Sequence, residues 1–203
     1  YKPALVFYDM LGSGNEKYVA EAASHEAGHN VGLHHDGTST QGYYTGHGTG
    51  ATGWAPIMGV GYYQNLVQWS KGEYPGANNK EDDYAVMASN GVAARADDHG
   101  NTTGTASRIA GTTSAGVTSL EAGGFIERTG AVDVFSFVAA AGPISISVAP
   151  ARRSPNLDAR VELRDGSGNL LVSGNPGDAL GATLSVIGGG GTYFVVVTGV
   201  GKG

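Results

Sequence analysis

Two spacings of apolar residues run along this chain. Between Glu16 and Gly32, Ala20, Ala23, Ala27 and Val31 recur at intervals of three and four, which predicts a helix with one face on a core. Ser13 and Glu16 stand in the S-x-x-E relation of a capping box, so this helix is expected to start at Ser13. Gly32 is its natural end. Farther on the interval falls to two. Phe135 and Phe137 alternate with polar residues, as do Ile144, Ile146 and Val148, the pattern of strands with one buried face. Seven short strands are expected there, near "GGFIERT", "DVFSFVAA", "ISISVAP", "LDARVELRD", "LLVSG", "ATLSVIG" and "TYFVVVTG". Asp165 to Asn169 reads as a hairpin turn, and strands at such short, regular spacing suggest an antiparallel sandwich.

The first half carries two further elements. "PALVFYDM", from Pro3, is expected to be a buried strand. "NKEDDYAVMASNG" is expected to be a second helix, with acids in its first turn and Asn90-Gly91 as its stop. The irregular stretch 36–79 between the two helices is long enough to carry function.

Composition narrows the classes. The 203 residues suffice for one large domain or two modest ones, and 40% hydrophobic with 15% charged residues is a globular balance. The 35 glycines follow no collagen period and read as turn-rich β structure. A net charge of −6 argues against nucleic acid or an anionic membrane as the main partner. No apolar run reaches the ~20 residues that span a bilayer. Without cysteine there is no disulfide, thiolate metal site or cysteine nucleophile. The chain opens at Tyr1, with neither an initiator Met nor a signal peptide, so an upstream segment is expected, either removed or still associated.

Candidate chemistry is concentrated in "SHEAGHNVGLHHDG", which holds four of the six histidines. His25 and His29 lie at i and i+4, so their imidazoles leave one helix face side by side. A catalytic zinc keeps three protein ligands and a water. Gly32 lets the chain turn out of the helix and bring His35 to the same ion. Glu26, beside the first ligand, can take a proton from a water whose pKa the metal lowers towards ~7. His34, one position off the spacing, is the alternative third ligand, and His47 is either a loop ligand or a surface histidine. Five such identities at this spacing arise by chance in about one chain in 10⁴ to 10⁵ of this composition.

His25, Glu26, His29, Gly32 and His35 fill H-E-x-x-H-x-x-G-x-x-H position by position, and the stretch resembles the zinc signature of the metzincin metallopeptidases. Asp36, following the third histidine, resembles the adamalysin/reprolysin-like branch. The resemblance implies a methionine turn beneath the metal, and "WAPIMGVGYY" supplies Met58 for it. Some metzincins place an oxyanion-stabilising tyrosine two residues after that methionine; Val60 stands there, so the role is not carried over. Tyr62 and Tyr63 remain candidates for the wall of the substrate cleft. The likeness covers the active-site helix and lower subdomain, roughly residues 1–95, and not the upper sheet that holds an extended substrate.

The later stretches "VDVFSFVAAAGPISISVAP", "SPNLDARVELRDGSGNLL" and "GTYFVVVTGVGKG" resemble the bacterial pre-peptidase C-terminal (PPC) domain, a small β-sandwich appended to secreted peptidases. Some such domains bind calcium, which makes Asp97, Asp98, Asp133 and Asp158 candidate oxygen ligands, with turn and cap residues as the other reading. The expected class is therefore α+β. Residues 1–100 form a partial metzincin subdomain of helix and loops, 101–120 a linker or first strand, and 121–203 a β-sandwich. The expected function is a secreted bacterial zinc endopeptidase, or its C-terminal portion, acting on protein or peptide substrates. It would carry one zinc ion, with calcium as a second candidate. The other function class left open is a non-catalytic attachment or assembly protein whose zinc site is structural or vestigial.

Overall fold

The computed structural model describes residues 3–200, in two units. The first holds residues up to Ala94 together with Ala151–Asn156, and the second holds Arg95–Pro150 and residues 157–200. The last three residues of "GTYFVVVTGVGKG" lie outside the described residues.

The expected α+β class, with a helical first part and an antiparallel sandwich, is overturned. Strand makes up 33% of the chain and helix 14%, and the large sheet is a mixed one of five strands. Only two α-helices occur among the described residues: α1, Glu16–Asn30, and α2, Asp83–Ser89.

Helix α1 forms where the periodicity places it, but its cap and its buried face differ from expectation. Asn15 is the N-cap, its side chain accepting from the amides of Lys17 and Tyr18. Ser13 has φ 56°, a left-handed turn conformation outside the helix. Ala20, Ala23 and Ala27 are exposed, and the buried position of the helix is Gly28. A Cβ on Gly28 would stand 2.6 Å from Met58 Sδ and 3.3 Å from both Leu33 and Trp69. The helix therefore meets the core by close backbone approach rather than through an alanine stripe. "PALVFYDM" is not a strand. It is irregular chain ending in a 3₁₀ turn, Tyr8–Met10, and Leu5, Phe7, Tyr8 and Met10 are all at least 63% exposed. With no strand partner to satisfy its backbone, apolar composition alone does not make it β.

The rest of the first unit is held by short elements. Strands β1, Trp54–Pro56, and β2, Leu66–Gln68, pair in parallel. Leu33, Met58 and Met87 form its buried cluster, flanked by Val31, Trp69 and Val86. Asp82 caps α2 by accepting from the Ala85 amide, and Gly91, at φ 89°, ends it.

In the second unit, β3 is Ser107–Arg108, β4 Gly111–Ser114, β5 Val117–Leu120, β6 Val132–Val148, β7 Ala159–Asp165, β8 Leu170–Gly174 and β9 Ala182–Gly199. β4 and β5 make a separate hairpin. The main sheet runs β3-β6-β9-β7-β8, with β3 parallel to β6 and every other pair antiparallel. The four strands expected from "DVFSFVAA", "ISISVAP", "ATLSVIG" and "TYFVVVTG" are two long ones, because the glycines that read as breaks face each other across the ladder. Gly142 pairs with Gly188 and Ala141 with Gly189, so the ribbon passes through them without losing register. It folds back on itself: Leu184 Cδ2 lies 2.8 Å from where a Cβ on Gly174 of β8 would sit. One cluster then joins Phe135, Phe137 and Val195 from one arm to Ile144, Ala182 and Leu184 from the other, with Val161 and Leu163 between. A second layer arises from one folded sheet rather than from two sheets. Pro143 lies on the arm of β6 that pairs only with β9 among the described strands, an edge position of the kind where proline is tolerated. "GGFIERT" forms no strand. The hairpin turn is present, with Asp165 accepting from the amides of Ser167 and Asn169 through Oδ1.

Loss of the true cap is expected to be costly. Asn15→Ala should lower stability by about 1 kcal/mol, while Ser13→Ala should change it by less than about 0.5 kcal/mol. Urea melts of the two variants decide between the two caps, and the reverse order would restore the capping box.

Candidate metal centre

Local rules at the end of α1 bring the histidines together. Leu33 N–H donates to Gly28 O at 3.0 Å and Gly32 N–H to His29 O at 3.2 Å, with Gly32 at φ 96°. This is the paired-bond reversal in which glycine takes the left-handed position. It turns the chain back so that His25, His29 and His35 each place a ring nitrogen within 4.8 Å of the others.

Backbone carbonyls fix two of the rings. His25 Nδ1 lies 2.8 Å from Ile57 O, and His29 Nδ1 lies 2.9 Å from Leu33 O. A carbonyl only accepts, so each Nδ1 carries the hydrogen and each Nε2 turns its lone pair to the shared space. His29 Nε2 and His35 Nε2 stand 2.9 Å apart. A tetrahedral ion with bonds of about 2.0–2.1 Å sets nitrogens about 3.3 Å apart, a small opening from this arrangement. Burial holds the imidazoles of His25 and His35 below the usual histidine pKa, and His29 adds to the effect on both. Neutral imidazole is the form that ligates a metal.

Met58 is fully buried below the helix, and Gly59 N–H donating to Pro56 O at 3.1 Å closes a tight turn around it. The Ile57 carbonyl that holds His25 belongs to the same turn. Glu26 is half-buried on α1. Its charge acts on His25 and His35, and on the Tyr62 phenol, whose pKa is raised first by burial and then by Glu26. Tyr62 also packs on Tyr18 at 5.0 Å between ring centroids, while Tyr63 is 78% exposed.

The other histidines of the first unit stand apart from this group. His34 turns outward to Glu81, which accepts from its amide at 2.7 Å and lies 3.2 Å from its Nδ1. His47 contacts the Tyr44 hydroxyl at 3.0 Å and bridges to Trp54 through the backbone. Sequence reasoning missed Tyr43, whose ring centroid lies 4.3 Å from that of His35 and 6.0 Å from that of His25. Nothing in its spacing marks it, because the irregular chain after Gly37 brings it there.

Asp36 points into the core. Its amide donates to Met58 O, its carbonyl accepts from Tyr44 N, and its Oδ2 accepts from Ser70 Oγ at 2.8 Å. The Ser70 amide donates to Asp83 Oδ2 at 2.8 Å, so one serine joins two buried carboxylates. Burial pushes Asp36 up to about 6 and Asp83 up to about 7, each against a bond from Ser70.

In the second unit Asp97, Asp98 and Asp133 come together, with Glu127 as a fourth carboxylate and His99 beside Asp98 and Asp133. Burial raises Asp133 to about 6, with His99 opposing. Asp158, buried before β7, is in neither group. Several clusters of His, Asp and Glu could thus hold a metal ion. No family model, no curated protein and no solved structure matches the chain.

The buried Asp83 should give stability a definite pH slope. Its folded pKa of about 7 lies above the ordinary 3.8. Between those values the folded state holds a proton that the unfolded state has released, so stability falls as pH rises from about 4 to about 7. Melting temperatures of the metal-free chain should decline more steeply across that window than those of Asp83→Asn; parallel curves would refute the assignment.

Proposed function

We propose that this chain is a zinc-dependent endopeptidase of the metzincin kind, or the C-terminal portion of one, exported by a bacterium and acting on protein or peptide substrates. The observation that carries the reading is the convergence of His25, His29 and His35 within 4.8 Å beside Glu26, with two rings oriented by backbone carbonyls. Neutral imidazoles fixed through Nδ1 are a donor set suited to zinc. Among the described residues the group offers three protein ligands, whereas a structural site is usually closed by four.

A bound zinc would supply Lewis acidity and a water that ionises near neutral pH. The chain's own residues supply the rest. Glu26 takes a proton from the attacking water as the new C–O bond forms. It then gives that proton to the amine nitrogen as the C–N bond breaks. The charge of Glu26 is felt at Tyr62, and the Tyr43 ring lies 4.3 Å from that of His35, so both tyrosines stand close to the reacting groups. Met58 carries no ligand role; it fixes the turn from which Ile57 holds His25. On this reading the second unit serves export, processing or substrate attachment.

Elemental analysis and peptide hydrolysis test the proposal together. The wild-type chain should hold one zinc, and His25→Ala, His29→Ala and His35→Ala should lose it, whereas His34→Ala should keep it. Glu26→Ala should retain the metal and lose hydrolysis by about 10²–10⁴-fold. Stoichiometric zinc without turnover, even with the upstream segment supplied, would overturn the enzymatic reading, and so would turnover indifferent to Glu26.

A further inference from the structure

We propose that Tyr43 is a positioning residue of the zinc centre, a role that rests on the zinc reading above: its ring holds the imidazole of His35 in the orientation a metal ligand needs. Residue 43 lies outside the spacing that marks the three histidines.

The three imidazoles are not held alike. His25 and His29 each give Nδ1 to a backbone carbonyl, Ile57 O at 2.8 Å and Leu33 O at 2.9 Å. An imidazole bound to a metal owes its ring orientation to such a partner on the nitrogen that faces away from the ion. His35 meets His29 through Nε2, and its Nδ1 makes no hydrogen bond among the described residues. It also stands beyond the end of α1, so no turn of that helix restrains it.

What meets the His35 ring is Tyr43. The two centroids are 4.3 Å apart with the planes at 41°, and the same tyrosine ring lies 6.0 Å from that of His25. Tilted aromatic pairs at about this separation attract each other beyond the area they bury. The Tyr43 hydroxyl makes no hydrogen bond among the described residues, so the contact belongs to the ring and not to the oxygen. Tyr43 is 44% exposed and is no part of the buried cluster of Leu33, Met58 and Met87. Its ring is therefore spent on the histidines and not on the core.

The chain that carries Tyr43 is itself anchored. Thr38 Oγ1 accepts from the amides of Thr40 and Gln41, and the Thr38 amide donates to Gln41 O at 2.7 Å, a tight turn stabilised by a hydroxyl. After it, Tyr44 N–H donates to Asp36 O at 2.7 Å, and Val60 N–H donates to Tyr44 O at 2.9 Å. The Tyr44 ring stacks on the buried Tyr74 at 4.2 Å between centroids. Tyr44 thus ties the segment of Tyr43 to Asp36, the residue that follows His35, and to the chain just after Met58. A ring presented from so fixed a backbone limits the rotation of the imidazole it faces.

Zinc affinity of the full-length chain, measured by competition with a chromophoric chelator, tests the role. Tyr43→Leu should bind zinc at least about tenfold more weakly than the wild type, and Tyr43→Phe within about twofold of it. In a His35→Ala background, Tyr43→Leu should change the residual affinity by less than about twofold, because its effect passes through His35. With cobalt(II) in place of zinc, the visible spectra of wild type and Tyr43→Phe should coincide, and that of Tyr43→Leu should differ. If circular dichroism shows Tyr43→Leu unfolded, Tyr43→Gln gives the same readouts. Equal zinc affinity in wild type and the folded Tyr43→Leu would overturn the positioning role and leave the zinc reading standing, whereas a wild-type chain that binds no zinc would overturn both. Tyr43→Phe as weak as Tyr43→Leu would refute the role of the ring, and an undiminished effect in the His35→Ala background would refute action through His35.

Discussion

The left-handed turn at Gly32 is the constraint on which the first unit depends. Its φ of 96° lets Leu33 donate back to Gly28, and three consequences follow from that single reversal. The Leu33 carbonyl is presented to His29. The Leu33 side chain drops into the cluster with Met58 and Met87. The chain then heads back along the helix, so that His35 meets the two helical histidines. A Cβ at position 32 would also strike the Asn90 side chain at 2.7 Å, which couples the end of α1 to the end of α2. An L-residue there would be strained by its backbone and crowded by its neighbour.

Polar groups as much as apolar ones assemble this unit. Its buried aliphatic cluster is small, and the long irregular chain after His35 is organised around Asp36 and Gly37. Asp36 binds the Met58 and Tyr44 backbones and the Ser70 hydroxyl, while Gly37 accepts from the Tyr74 hydroxyl and from Asn78. A Cβ on Gly37 would lie 2.4 Å from the Gln41 carbonyl oxygen, so the residue there must be small. The three clustered histidines therefore stand on a frame whose register is fixed by directional bonds. Such a frame specifies one geometry but tolerates little substitution, because each buried oxygen left without a donor is expensive.

The site was more legible in the sequence than the fold. His25, Glu26 and His29 are neighbours through the helical repeat alone, and Gly32 announces its own backbone geometry. Local rules of this kind need no knowledge of distant residues. The fold depended on pairings that local patterns do not carry. Glycines at 142 and 188 read as breaks until they are seen opposite each other in one ladder. Ala20, Ala23 and Ala27 read as a core face, yet the helix docks through Gly28, since apolar periodicity cannot tell alanine facing water from alanine facing a core. "PALVFYDM" has strand composition but nothing to pair with. Glu127 sat inside a stretch taken for a strand, so its place among the carboxylates became visible only when that strand proved absent.

Pro143 has a consequence beyond its own residue. The outer side of β6 is unpaired over most of its length among the described residues, because β3 covers only Phe135 and Ser136. A long open strand edge is a template on which another chain can add a strand. On this arm stand Pro143, which has no N–H to donate, and Gly142 with φ 147°. The same residue that looked like a break in the strand thus interrupts the edge for any visitor while leaving the ladder to β9 intact. Proline on an edge is one of the ways natural sheets discourage such an added strand.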